Sequence, residues 1–330
     1  VSASLPADLG LDAQAPVQEF CGRISRLPAA TLGALVYGGD ASAQVAAAAD
    51  ARLVAVPLEA LAGSHCIEAW VTRGPVTCGM IEGLHFSASA DHLFGYLEVD
   101  EAQAGGLRHA ARDAYRQLLR FHAHGEHRQL WRIWNFVDAI NEGDGDAERY
   151  RQFCLGRAEG IGSHLDGYPA GTAVGTRTGA RRLQLVWLAG RVRGLPVENP
   201  RQLSAFRYPR QYGPASPSFS RAMRLGDQLL ISGTSSILGH ETVHDGDLTA
   251  QLRESVSNLQ TVARAAGMGA ARLSGLKAYV RRAADLAPTG AQLRPPLVPE
   301  GAACVLAADI CRRDLLIELE AVALAAAPAT

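Results

Sequence analysis

Apolar and polar positions in the C-terminal part of the chain fall into short runs separated by turn residues. Phe219–Ile237 reads as a β-hairpin whose two runs are joined by Leu225-Gly226-Asp227-Gln228. Asp245-Gly246-Asp247 then offers a turn and an N-cap for a helix over Leu248–Ala266, in which Leu252, Val256, Leu259 and Val262 recur at helical spacing before Gly267. Leu276–Val280, Ala302–Ile310 and Asp314–Leu324 are strand candidates, with Pro295, Pro296 and Pro299 marking a loop. The middle of the chain repeats this order. His85–Asp100 mirrors the hairpin, Ala102–His124 is a long helix interrupted at Gly105-Gly106, and Leu130–Val137 is a strand. Ala147–Ile161 is a second helix and Leu183–Leu188 another strand. A unit of hairpin, helix, strand, helix or loop, and strand thus occurs twice, joined by Val192–Pro217. The pattern predicts an α+β protein of two halves, residues 1–195 and 196–330, related by internal duplication, the alternative being two α+β halves alike by chance.

Composition narrows the functional classes. Of 330 residues 48% are hydrophobic and 20% charged, and the formal net charge is −1, so no overall field draws the chain to nucleic acid or to a membrane surface. No window approaches 18 uninterrupted apolar residues, and Val1–Val17 reads as a loose arm rather than a secretory signal. The six cysteines (Cys21, Cys66, Cys78, Cys154, Cys304 and Cys311) form no C-x-x-C pair or zinc spacing; they are expected to be reduced, which places the protein in the cytoplasm. Among 32 basic residues only Lys277 is a lysine. Such an arginine bias is what a GC-rich genome produces, or else a supply of planar forks for carboxylates and phosphates.

Most catalytic motifs fail on inspection. Phosphate-loop and dinucleotide fingerprints are missing, and Ser274-Gly275-Leu276-Lys277 lacks the second lysine that a penicillin-binding-type enzyme needs. His240-Glu241-Thr242-Val243-His244 spells the zinc motif H-E-x-x-H, but flanking glycines leave room for barely one helical turn, so loop histidines are expected. His122, His124 and His127 read as a solvated helix end. Two features survive. Arg207, Tyr208, Arg210 and Tyr212 crowd a proline-stiffened loop suited to an oxygen-rich anion, or to a linker with exposed arginines. Glu318 and Glu320 lie two apart in the last strand and share a face. Buried, such a carboxyl would have a raised pKa, as a general acid requires; the alternative is an edge strand with a wet face.

These residues carry a family resemblance. Leu229–Ile237 (LLISGTSSI), the following helix and Arg312–Ala323 (RRDLLIELEAVA) resemble the RidA/YjgF (chorismate mutase-like) fold. With Trp131–Asn141, Glu148–Arg157, Tyr168–Gly175 and Arg207–Pro217, the chain resembles a chorismatase over about residues 85–324. The resemblance implies two RidA/YjgF-like α+β units, the first with an N-terminal extension. It implies the small dianion chorismate as substrate, no cofactor or metal, a secondary-metabolic role, and a monomer or trimer. Glu318 matches the family's catalytic glutamate, with Glu320 as structural companion, and Cys311 matches a cysteine of 3-hydroxybenzoate-forming members. Arg157, Arg207, Tyr208, Arg210, Tyr212, Gly233 and Ser235 are the expected substrate-binding positions. Ser235 or Ser236 departs from the glycine or alanine of the family pattern. Hydrolysis of chorismate to a dihydroxy-cyclohexadiene carboxylate is the alternative outcome, and a non-catalytic acid-binding module the alternative class.

Overall fold

The computed structural model describes residues 17–325 except 22, 62–65, 270 and 300, so the expected arm Val1–Val17 lies, but for its last residue, outside the described residues. The first elements are ones the sequence pattern did not predict. Strand β1 (Val17–Cys21), β2 (Thr31–Tyr37), helix α1 (Ala41–Ala48), β3 (Leu53–Val56), the short β4 (Glu59–Ala60) and β5 (Cys66–Val71) occupy the region before the first repeat. β1, β5, β2 and β3 form a four-stranded sheet in that order, with α1 as the crossover between the parallel β2 and β3. Every residue of β2 is buried, so it shows no alternation and leaves no period-two signature.

The second region contains β6 (Thr77–Ile81), β7 (Leu84–Ala88), β8 (His92–Asp100), α2 (Glu101–Ala104), α3 (Leu107–His124), β9 (Gln129–Asp138), α4 (Arg149–Ile161), β10 (Ala170–Thr176) and β11 (Arg182–Gly190). Asp100 caps α2, accepting hydrogen bonds from the amides of Ala102 and Gln103. Gly105 and Gly106, with φ of 82° and 108°, break the helix there as expected. α3 and α4 cross so closely that a Cβ at Gly156 or Gly160 would strike backbone of Arg108 or Arg112. His122, expected in a solvated helix end, is instead buried; desolvation lowers its pKa to about 4.

The third region contains β12 (Leu195–Val197), β13 (Ala222–Leu225), β14 (Gln228–Ser235), β15 (Ile237–Leu238), β16 (Glu241–Thr242), α5 (Leu248–Ala265), β17 (Arg272–Val280), α6 (Leu286–Gln292), β18 (Ala303–Ala307), β19 (Asp309–Ile310) and β20 (Ile317–Leu324). Asp247 caps α5, as its spacing predicts. The expected strand over Ala302–Ile310 divides at Ala308, and its two parts join different sheets.

The two seven-stranded sheets share one plan. Their orders are β19-β10-β9-β11-β8-β7-β6 and β12-β13-β14-β20-β17-β18-β4. In each, a hairpin (β7-β8, β13-β14) leads to a helix, two parallel strands (β9 and β10, β17 and β18) follow, and the last strand returns between hairpin and parallel pair. Small exchanges tie the parts together: β19 extends the second region's sheet and β4 the third's. All three sheets contribute to one apolar core, with Trp70, Trp134 and Tyr279 among its largest members.

Cys66 of β5 and Cys304 of β18 form a disulfide across 238 residues of sequence. This corrects the expectation of six reduced cysteines and removes the premise from which a cytoplasmic location was inferred. No helix among the described residues is long and apolar enough to cross a membrane.

Candidate active site

A cavity of about 400 Å³ opens where the two seven-stranded sheets meet. β10 and α4 supply one wall, β14 and β20 the other, and the segments around Tyr208–Arg221 and Cys311–Asp314 close it. β20 lies between β14 and β17, so the edge-strand alternative for the acidic pair does not apply.

Glu318 lines the cavity and is 5% exposed. Its hydrogen-bond partner is the Ser235 hydroxyl on the neighbouring strand, at 3.3 Å. Gly233 leaves the room the carboxyl occupies, for a Cβ there would overlap Glu318 Oε1. Burial, and then the charge of Glu320, push the Glu318 carboxyl up to about 8, against smaller opposing effects of Ser235, Arg132 and Arg221.

Glu320 is surrounded differently. Its Oε2 accepts from Arg132 Nη2 and Thr172 Oγ1, both at 2.6 Å. Its Oε1 accepts from Trp134 Nε1 at 2.9 Å and pairs with Lys277 Nζ at 2.5 Å. Although burial opposes ionisation, the Lys277 and Arg132 charges and these hydrogen bonds hold Glu320 far below the usual carboxylate range. One carboxyl is kept neutral and its neighbour kept charged.

Three guanidinium groups converge on the cavity with donors to spare. Arg157 of α4 is 3% exposed, stacks 5.0 Å from the Tyr115 ring centroid, and has no partner for Nε or Nη2 among the described residues. Arg221 gives Nη2 to the Leu203 carbonyl and the Tyr208 hydroxyl, leaving Nε unpaired. Arg312 lies 4.0 Å from the Tyr212 ring centroid, with Nη2 unpaired. An unpaired buried donor is costly, so such a set fits a ligand with several oxygen acceptors.

Of the positions singled out in the sequence, Glu318, Cys311, Arg157, Tyr208, Tyr212, Gly233 and Ser235 all line this cavity. Arg207 and Arg210 do not. Both are exposed; Arg207 lies 6.0 Å from the Phe206 ring centroid, and Arg210 binds Asp146 at 2.5 Å. A 3₁₀ turn at Arg210–Tyr212 turns Tyr212 inward and leaves Arg210 outside. The Cys311 thiol is raised well above its ordinary range, first by burial and then by Glu318, so it stays protonated. The H-E-x-x-H segment is a small hairpin turn, and His240 Nδ1 meets the Tyr212 hydroxyl at 3.1 Å. No group of three or more potential metal ligands occurs among the described residues. Sequence reasoning missed Arg221, Arg312 and Thr172. A single arginine carries no signal in a chain with thirty others, although Arg312 and Thr172 lie within the segments that bear the resemblance.

The family profile described as chorismatase FkbO/Hyg5-like, N-terminal, matches residues 68–189. A 3-hydroxybenzoate synthase of Streptomyces hygroscopicus is 35% identical over 277 residues, covering 77% of this chain and 80% of its own. The chain belongs to the chorismatase family. A chorismatase of Streptomyces rapamycinicus is 36% identical over 277 residues, covering 77% of this chain and 81% of its own. A chorismatase crystal structure superimposes with a TM-score of 0.75 at 28% identity, covering 94% of this chain and 99% of that one. The fold is α+β, with two units whose large sheets share one strand plan, as the sequence led us to expect of two related halves. In this chorismatase the cavity lies between the two units, and each contributes an arginine to it.

Proposed function

We propose that this chorismatase converts chorismate to 3-hydroxybenzoate and pyruvate, with Glu318 as the general acid. The observation that carries this reading is the buried Glu318 carboxyl, with a single hydroxyl partner, facing a cavity that also holds unpaired guanidinium donors. Chorismate is a cyclohexadiene with a ring carboxylate, a ring hydroxyl and an enolpyruvyl ether bearing a second carboxylate. Two carboxylates match the spare donors of Arg157, Arg221 and Arg312, and Tyr208 and Tyr212 form the polar wall beside them.

The chemistry needs one proton placed on carbon. Glu318 donates to the terminal methylene of the enolpyruvyl group, giving an oxocarbenium-like centre next to the ether oxygen. The ring hydroxyl then attacks the neighbouring ring carbon and breaks its bond to the ether oxygen, releasing pyruvate and leaving an epoxide-like bridge. The bridge opens at the hydroxyl's original carbon, and a ring proton is lost as the ring aromatises. No atom of water enters the balance, because chorismate equals the sum of the two products. A neutral Cys311 thiol at the cavity wall suits this route, since it offers bulk without a competing charge. The protein is read as an N-terminal half to residue 195 and a C-terminal half from 196 that carries Glu318. Its partner is read as the small acid, with no nucleic acid or membrane, and the chain as a monomer or trimer.

Incubation with chorismate in water enriched in heavy oxygen tests the reading. The expected result is one pyruvate per chorismate together with unlabelled 3-hydroxybenzoate. A dihydroxy-cyclohexadiene carboxylate as the main ring product would overturn the product assignment, and tight binding without turnover would overturn the enzymatic one.

A further inference from the structure

Lys277, the single lysine, is fully buried in a place that the proposed reaction does not explain. It stands opposite Glu320 in the β17–β20 register and binds it at 2.5 Å. On its other side it forms an ion pair with Glu68 of β5, in the N-terminal four-stranded sheet, and donates to the Tyr37 hydroxyl at 2.9 Å. Glu68 is itself held by Gln18 Nε2 at 2.6 Å and by the Tyr37 hydroxyl at 3.0 Å. Glu68 and Cys66 are two apart on β5, and Cys304 is the register partner of Lys277. The disulfide and the ion pair therefore join the small sheet to the same part of the third region's sheet. From the N-terminal sheet toward the cavity run the ion pairs Glu68–Lys277 and Lys277–Glu320, and Glu318 stands two residues from Glu320 on the same face of β20.

We propose that Glu68 and Lys277 are positioning residues for the proton donor, acting on Glu318 through Glu320, its neighbour on the same strand face, with which Lys277 pairs. The inference rests on Glu318 being that donor. Leaving Glu318 aside, Glu68 and Glu320 are paired with the two cations Lys277 and Arg132, so their charges cancel, while the member beside Glu318 is a carboxylate. Other groups also face the pair. Arg132 of β9 and Lys277 of β17 face Glu320; Arg221, Ser235 of β14, Tyr279 of β17, Tyr150 of α4 and Cys311 face Glu318. Of these the cations favour the ionised acid, and Glu320 opposes them. Removing a negative charge from these pairs leaves the cations in excess and makes Glu318 easier to ionise. The N-terminal sheet, which contributes no residue to the cavity wall, thus has a part in the chemistry.

Glu68→Gln keeps the size of the side chain and removes its charge, whereas Glu68→Asp keeps the charge and shortens the chain. In the substrate-free protein, the titration of the Glu318 carboxyl carbon can be followed by carbon NMR, with the signal assigned by its loss in Glu318→Gln. For Glu68→Gln the midpoint and the alkaline limb of kcat/KM are expected to move together to lower pH, by about half a pH unit. For Glu320→Gln both move further, and for Glu68→Asp both stay within error of the parent. An unmoved titration in Glu68→Gln and Glu320→Gln, in protein that remains folded, overturns the proposal. Equal damage from Glu68→Gln and Glu68→Asp without a shift in the limb assigns Glu68 a purely structural role and also overturns it. Failure of the underlying reading looks different: Glu318→Gln would retain turnover whatever the titration does.

Discussion

Glu318 and Glu320 leave the same face of one strand two residues apart, and the protein holds them in opposite protonation states. Glu320 takes hydrogen bonds or ion pairs from four side chains, whereas Glu318 has a single hydroxyl at 3.3 Å. Both are desolvated, but only one is compensated, and the charge on the compensated member further disfavours charge on the other. Two like groups with separated pKa values are a way to keep an acid armed at neutral pH.

The first prediction concerns pH. With Glu318 at about 8, kcat/KM should fall as pH rises through 8, because the donor loses its proton. Stability follows the same group. The folded-state pKa is raised above the ordinary glutamate value of about 4.3, so folding retains a proton that the unfolded chain releases, and stability declines as pH rises from that value to about 8. Glu318→Gln lacks this loss. Its Tm should gain on that of the parent over this range, which thermal unfolding at several pH values would show.

A second prediction separates the arginines. Arg157→Met and Arg221→Met should each raise KM for chorismate by about 10- to 100-fold, the worth of one charge-assisted contact. Arg207→Ala and Arg210→Ala should leave KM within about twofold, since both side chains lie outside the cavity. Steady-state kinetics on the four variants decides the matter; a large effect at Arg210 would place the substrate elsewhere.

The third is steric. Gly233→Ala inserts a methyl where Glu318 Oε1 now lies, and Thr172 Oγ1, 3.2 Å from the same point, limits the room for relief. The carboxyl must move, so kcat should fall by about 100-fold, the cost of misplacing a catalytic group by about 1 Å. Far-ultraviolet circular dichroism should be unchanged. A fully active Gly233→Ala would mean that Glu318 acts from another rotamer.

The legible parts of this molecule were those with a local cause. Asp247 and the Gly105-Gly106 break could be read from capping and backbone freedom, and Glu318 with Glu320 from the period of a strand. What decides their opposite states could not, because Arg132 stands 188 residues from its partner Glu320 in sequence. The Arg-Tyr loop misled in part: clustering drew attention to Arg207 and Arg210, yet alternate members of a turn point to opposite sides. β2 escaped notice because burial on both faces erases alternation, and with it went the sheet that supplies Glu68. Lys277 was visible as a compositional oddity, and its location in a buried ion network gives it a structural reason.

The most direct test is the rate of pyruvate release from chorismate by Glu318→Gln, with the fold checked by circular dichroism. The amide keeps the shape of the side chain and cannot deliver the proton, so the rate should fall by about 10²- to 10⁴-fold while chorismate still binds. Release within a few-fold of the parent rate would contradict the assignment of Glu318 as the acid.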